Sequence, residues 1–180
     1  MERIRPFMGN ELIKVLTGIR RSGKSVMLEL IQEELMENGV EKENMISINF
    51  ENMANAGFCT AKSLHDEILR RINRTEGKIY LFFDEIQEVE EWEKCINSFR
   101  VEIDCDIYIT GSNAKLLSGE LATYLAGRYV EFIIYPFSFK EFIDLYHTIE
   151  PGSDERECFR KYLIAGGMPY LSNLHYDEEA

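Results

Sequence analysis

Two glycines, a lysine and a serine stand at the spacing that grips a phosphate chain. In "GIRRSGKS", residues 18 to 25, Gly18, Gly23, Lys24 and Ser25 fit G-x-x-x-x-G-K-[ST]. The glycines let the backbone wrap so that successive N–H groups face phosphate oxygens, and a helix N-terminus adds a positive field. Lys24 is placed for the β- and γ-phosphates and the Ser25 hydroxyl for Mg²⁺. The candidate cofactor-binding segment is therefore Gly18, Arg20, Arg21, Ser22, Gly23, Lys24, Ser25 and Val26, with ATP and Mg²⁺ as cofactors. Phosphate chemistry does not demand Arg20 or Arg21; they pair with the acid-rich segment after Asp84 or face solvent.

Such a loop needs a second carboxylate for the metal at the end of a neighbouring strand. "IYLFFDE" supplies it: Asp84 follows five apolar residues and is the metal candidate with Ser25. Glu85, the next residue, is placed to orient and polarise water for attack on the γ-phosphate.

These residues must be positioned by alternating strands and helices. Leu12 to Thr17 is expected as a buried strand, Gly23 to about Asn38 as a helix stopped by Gly39, and Met45 to Phe50 as a second strand. A helix is expected over Thr60 to Asn73, the central strand over Ile79 to Phe83, and a third helix over Glu90 to about Ile103 with acids crowding its first turn. Asp106 to Thr110 and Tyr129 to Tyr135 are expected strands, separated by a helix from Asn113 to about Ala126. Helices over Phe139 to His147 and Asp154 to Ala165 follow, the second broken by "GGMP". The pattern predicts an α/β fold with a mostly parallel five-stranded sheet, one core over 1–136 and a helical extension, read as an incomplete lid, over 137–180. The length between Ser25 and Asp84 holds a helix, a strand and a helix, so an extra strand separates the two site strands in the sheet. No N-K-x-D guanine reader is present, which favours adenine.

"KVLTGIRRSGKSVML", "YLFFDEIQEVEEWE", "DIYITGSNAKLLSGELATYLAGRYVEF", "YPFSFKEF" and "AGGMP" together resemble a prokaryotic branch of the AAA+ superfamily of P-loop ATPases, over roughly residues 12 to 170. The resemblance implies a three-layer α/β/α sandwich with sheet order 5-1-4-3-2. It also implies Gly18 to Ser25 as the Walker A loop, Asp84 and Glu85 as the Walker B acids, and Ser112 or Asn113 as the γ-phosphate sensor. Asn113 reads equally well as a helix cap. Arg128 resembles the arginine that AAA+ ATPases present to a neighbouring subunit's nucleotide, and reads equally as a helix-end arginine. The catalytic candidates are Glu85, Lys24, Ser112, Asn113 and Arg128. Members of this branch continue into a C-terminal effector domain that the resemblance does not locate here.

Composition narrows the partners. The chain has 180 residues and a formal net charge of −12, so a polyanion is repelled unless the bases cluster. The densest group, Arg70, Arg71 and Arg74, adjoins Asp66 and Glu67, and direct nucleic-acid binding is disfavoured. No apolar stretch is long enough to span a membrane and the N-terminus does not read as a secretory signal. Cys59, Cys95, Cys105 and Cys158 form no C-x-x-C pair and read as thiols in a reducing cytoplasm. The expected activity is Mg²⁺-dependent ATP hydrolysis coupled to conformational change, in a homo-oligomer or beside a partner protein. The alternatives are a nucleotide-loaded signalling switch and, less favoured by the acidity, a DNA-remodelling motor.

Overall fold

The computed structural model describes residues 1–111 and 125–169. Its strands are β1 (Ile13–Thr17), β2 (Met45–Asn49), β3 (Ile79–Asp84), β4 (Cys105–Thr110) and β5 (Tyr129–Ile133). All pairings are parallel, and the sheet order is β2-β3-β4-β1-β5, the expected order read from the other edge. The helices are α1 (Lys24–Glu37), α2 (Ala61–Ile72), α3 (Trp92–Glu102), α4 (Phe139–Ile149) and α5 (Glu155–Ala165).

Strand burial follows residue type. β3, the most apolar run, is buried at five of six positions, as a parallel strand with neighbours on both sides requires. β2 lies at the sheet edge and alternates, burying Ile46 and Ile48 while Ser47 and Asn49 face out. β1 is buried throughout, including Lys14. The Lys14 ammonium is paired with Asp106 and donates to the Asn10 carbonyl at 3.0 Å. Burial pushes its pKa below the ordinary lysine value, against the pull of Asp106. The same Asp106 carboxylate accepts from the Gly9 N–H and the Tyr108 hydroxyl, both at 2.7 Å. One buried carboxylate thus ties the segment before β1 to the middle of the sheet.

α2 begins at a capping box in which Thr60 accepts from the Ser63 N–H and Ser63 returns the bond. Its apolar stripe puts Leu64 and Ile68 in the core against Phe50, Phe83 and the α3 side chains Trp92, Cys95, Ile96 and Phe99. Truncating Ile68 to Ala would cost roughly 2–5 kcal/mol by cavity formation. Glu67 is held by Arg70 and Arg71, whose hydrogen bonds bring its carboxyl down to about 2, so one carboxylate engages both bases.

α3 starts two residues later than the acid-rich segment predicts. Glu90 pairs its backbone with Cys59 and Ala61, and Glu91 takes a left-handed conformation (φ 56°) before Trp92. Only Glu93 occupies the first turn, so the expected acidic crowding at the helix start is not seen.

The chain forms two compact units: Met1–Gly18 with Lys24–Ile133, and Ile19–Gly23 with the chain from Ile134 onward. In the second unit, α4 and α5 pack Phe142, Tyr146 and Cys158 into a small core of their own. α4 is capped by Ser138, with Glu141 closing a capping box. Within "GGMP", Gly167 accepts the Phe137 N–H at 2.7 Å through its carbonyl. A Cβ at Gly167 would lie 2.2 Å from the Phe137 carbonyl oxygen, so only glycine allows this approach.

Candidate functional site

Four neighbouring strands end in polar side chains at one sheet edge: Thr17 on β1, Asn49 on β2, Asp84 on β3 and Thr110 on β4. Register places Asn49 opposite Asp84 and Thr110 opposite Leu16. In open parallel sheets the carboxyl edge is where ligands bind.

Asp84 is buried, with both carboxylate oxygens engaged. Oδ1 accepts from the Thr110 hydroxyl at 2.5 Å and Oδ2 from the Asn49 amide at 2.8 Å. Thr110 Oγ1 also accepts the Glu85 N–H at 3.0 Å, so one hydroxyl holds both members of the acidic pair. Glu85 leaves the strand at φ 54°, ψ 50°, a left-handed conformation that non-glycine residues rarely adopt. Its Oε1 lies 3.7 Å from the Lys24 Nζ, and its Oε2 accepts from the Gln87 amide. Lys24, at the start of α1, is buried with Nζ 3.4 Å from the Gly18 carbonyl. Thr17, beside Gly18, donates to Glu131 Oε1 on β5 at 2.6 Å.

The loop between Gly18 and Lys24 is built as a tight turn. The Ser22 N–H bonds to the Ile19 carbonyl at 3.2 Å, Arg21 sits at φ 65° and Gly23 at φ 97°. Ser22 Oγ is buried without a hydrogen-bond partner among the described residues. A buried hydroxyl left unmatched is costly, and an anion or its bound water would satisfy it.

These residues suit a nucleotide with Mg²⁺. An ionised carboxylate has about four acceptor positions, so Asp84 keeps capacity for a cation-bound water beyond its two bonds. Among the described residues no three His, Cys, Asp or Glu side chains converge as a metal centre. Mg²⁺ in phosphoryl-transfer sites needs none, since it takes one or two protein oxygens, waters and substrate phosphates.

Residues 10–143 match the family described as AAA domain. The chain belongs to the AAA domain family. An uncharacterized protein of Haemophilus influenzae is 42% identical over 172 residues, which is 94% of this chain and 42% of that protein. A second, from Methanocaldococcus jannaschii, is 33% identical over 169 residues, 89% of this chain and 36% of its own length. The chain therefore spans about two-fifths of these relatives, one bacterial and one archaeal. The AAA domain also aligns with Saccharomyces cerevisiae Hsp104 in its casein complex (TM-score 0.58, 12% identity, 97% of this chain and 36% of that one). Cdc6p of Pyrobaculum aerophilum gives a TM-score of 0.53 at 15% identity, over 97% of this chain and 55% of that one. These likenesses show the fold alone, the AAA+ P-loop α/β fold.

Within this AAA domain, Lys24, Asp84 and Glu85 come together at the carboxyl edge. Ser25 and Val26 lie exposed in the first turn of α1, and Arg20 and Arg21 are exposed on the loop. Ser112 and Asn113, with the helix expected after them, lie outside the described residues. Arg128 is exposed and precedes Tyr129, which pairs with Ile13 at the start of β1. The loop leaves the other end of that strand, about 13 Å away at 3.3 Å per residue. Arg128 and Gly18 therefore lie beyond opposite ends of β1.

Thr110, Asn49 and Gln87 are the site residues that spacing does not reveal. In the sequence Asn49 reads only as a polar position of the alternating strand Met45 to Phe50, and Thr110 only as a strand end. Their function as clamps depends on β2 and β4 flanking β3.

Proposed function

We propose that this chain binds ATP with Mg²⁺ and hydrolyses its β–γ phosphoanhydride, coupling turnover to conformational change. The observation that carries this reading is the placement of Glu85 beside Lys24, with the adjacent Asp84 clamped by Thr110 and Asn49. A nucleotide-binding switch has no use for a carboxylate fixed next to the phosphate-binding cation.

The loop from Gly18 to Ser25 takes the phosphate chain, and Lys24 neutralises charge on the β- and γ-phosphates. Ser25 and Asp84 would hold Mg²⁺, which when bound would offset the charge developing on the phosphates. Glu85 orients the attacking water and draws on its proton. An oxygen–phosphorus bond forms from that water, the β–γ bridging bond breaks, and ADP leaves with the bond's electron pair. Ser112 or Asn113 is proposed as the γ-phosphate sensor.

Arg128 is assigned to the nucleotide of a neighbouring copy, because the length of β1 separates it from Gly18 and Lys24. That assignment implies a homo-oligomer. The longer relatives support a further effector region through which motion is used. Four free cysteines support a reducing, cytoplasmic setting, and the net charge of −12 argues against direct nucleic-acid binding. Among the described residues no helix is long and apolar enough to cross a membrane.

The test is phosphate release from ATP, with Mg²⁺ and with EDTA, over a range of protein concentrations. Turnover that needs Mg²⁺ and rises in specific activity with concentration supports the reading. Phosphoryl transfer to an acceptor other than water would replace it.

A further inference from the structure

Glu85 is followed by a short 3₁₀ turn, Ile86–Glu88, in which the Glu88 N–H bonds back to the Glu85 carbonyl at 3.1 Å. The left-handed conformation of Glu85 and this turn together fold the chain back on itself. Gln87, two residues on, consequently reaches the Glu85 side chain. Its amide lies 2.5 Å from Glu85 Oε2. A carboxylate oxygen can only accept, so the atom facing it is Nε2 and the amide oxygen points away.

That amide oxygen is buried and has no hydrogen-bond partner among the described residues. An unmatched buried acceptor costs stability, so an amide kept in that state calls for a role beyond the fold. Among the described residues Gln87 is bonded at one end only, and that end grips the candidate base. The two oxygens of Glu85 are thereby divided: Oε1 toward Lys24, Oε2 on Gln87. With its backbone N–H on Thr110, Glu85 is restrained at three points.

We propose that Gln87 is a positioning residue for the ATPase reaction, which holds the Glu85 carboxylate in the orientation from which it acts on water. This inference rests on the hydrolase reading above. Gln87 makes no demand on nucleotide binding, since it acts through Glu85. Gln87→Met keeps the length and removes the donor. Gln87→Glu keeps the shape and places a like charge beside Glu85.

The experiment compares wild type, Gln87→Met, Gln87→Glu, Glu85→Gln and the Glu85→Gln/Gln87→Met double variant. It reads kcat, KM, ATP affinity and melting temperature of the full chain. Gln87→Met should lower kcat roughly tenfold or more with KM and affinity unchanged, the pattern of a loss felt only in the transition state. Gln87→Glu should lose more. In the Glu85→Gln background, Gln87→Met should have no further effect, a non-additivity that general destabilisation would not produce. Turnover slowed at least a hundredfold by Glu85→Gln but unchanged by Gln87→Met would overturn the role of Gln87 alone. Equal loss from Gln87→Met in both backgrounds would overturn it as well. A wild-type chain that binds ATP and never turns it over would overturn the hydrolase reading and this inference together.

Discussion

The Thr110 hydroxyl donates to Asp84 Oδ1 while accepting the backbone N–H of Glu85. A side chain at the end of β4 thus sets the geometry of both acids at the end of β3. Thr110→Val removes the hydroxyl at nearly constant volume and leaves a buried carboxylate oxygen and an N–H unmatched. The expected cost is about 1–3 kcal/mol of stability. We expect turnover to fall and the Mg²⁺ concentration for half-maximal activity to rise, whereas Thr110→Ser should keep both near wild type. Urea denaturation and a Mg²⁺ titration of ATP turnover check this.

Lys24 is a buried cation beside Glu85. Lys24→Ala should abolish ATP binding as well as turnover, because phosphate charge would meet Glu85 without an intervening positive group. Fluorescent-nucleotide titration checks it, and binding at wild-type affinity would remove Lys24 from the site.

Arg128 offers a contrast. Arg128→Ala should leave ATP affinity unchanged and reduce turnover, and it should abolish any rise of specific activity with protein concentration. Mixing Arg128→Ala with Glu85→Gln protein should restore part of the activity, since each supplies what the other lacks. No recovery on mixing, in a protein shown to oligomerise, would remove Arg128 from the neighbouring site.

The buried Lys14–Asp106 pair should matter to the fold alone. Lys14→Met strands a buried carboxylate and should cost about 3–5 kcal/mol, while Lys14→Met with Asp106→Leu should cost much less. Equilibrium urea unfolding of the two variants separates these outcomes.

Acid stability should depend on Glu67. Its carboxyl is held at about 2 by hydrogen bonds from Arg70 and then Arg71, against 4.5 in the unfolded chain. A folded value below the unfolded one gives stability that is fully present above about pH 4.5 and is lost as pH falls toward 2. Glu67→Gln should therefore flatten the fall in melting temperature across that window.

What could be read from the sequence was local, and what could not depended on distant neighbours. The candidate phosphate loop is a motif of eight consecutive residues, and "IYLFFDE" marks a strand and both acids together, so the candidates Lys24, Asp84 and Glu85, with Lys24 and Glu85 neighbours in the structure, could be picked out locally. Sheet order followed from the resemblance to the AAA+ superfamily. Thr110 was not legible, because a threonine ending a strand is ordinary until that strand lies beside Asp84. Lys14 was hidden in the same way: its partner Asp106 is 92 residues away, and only the β1–β4 pairing brings them together. The acids at 90 and 91 followed helix propensity in the sequence, yet Glu90 is held by backbone bonds to Cys59 and Ala61. Gln87 could be seen in "DEIQ", but its use depends on a left-handed turn at Glu85 that residue type does not announce. The grouping of residues 19–23 with the chain beyond Ile133 was likewise invisible to periodicity.

The most direct measurement is single-turnover ATP hydrolysis with Mg²⁺ by wild type and Glu85→Gln, with ATP affinity measured on the same samples. The account predicts that Glu85→Gln binds ATP as tightly as wild type and releases phosphate at least a hundredfold more slowly, a difference in barrier of about 2.7 kcal/mol. Equal rates in the two proteins would contradict it, because the carboxylate placed beside Lys24 would then have no part in the chemistry.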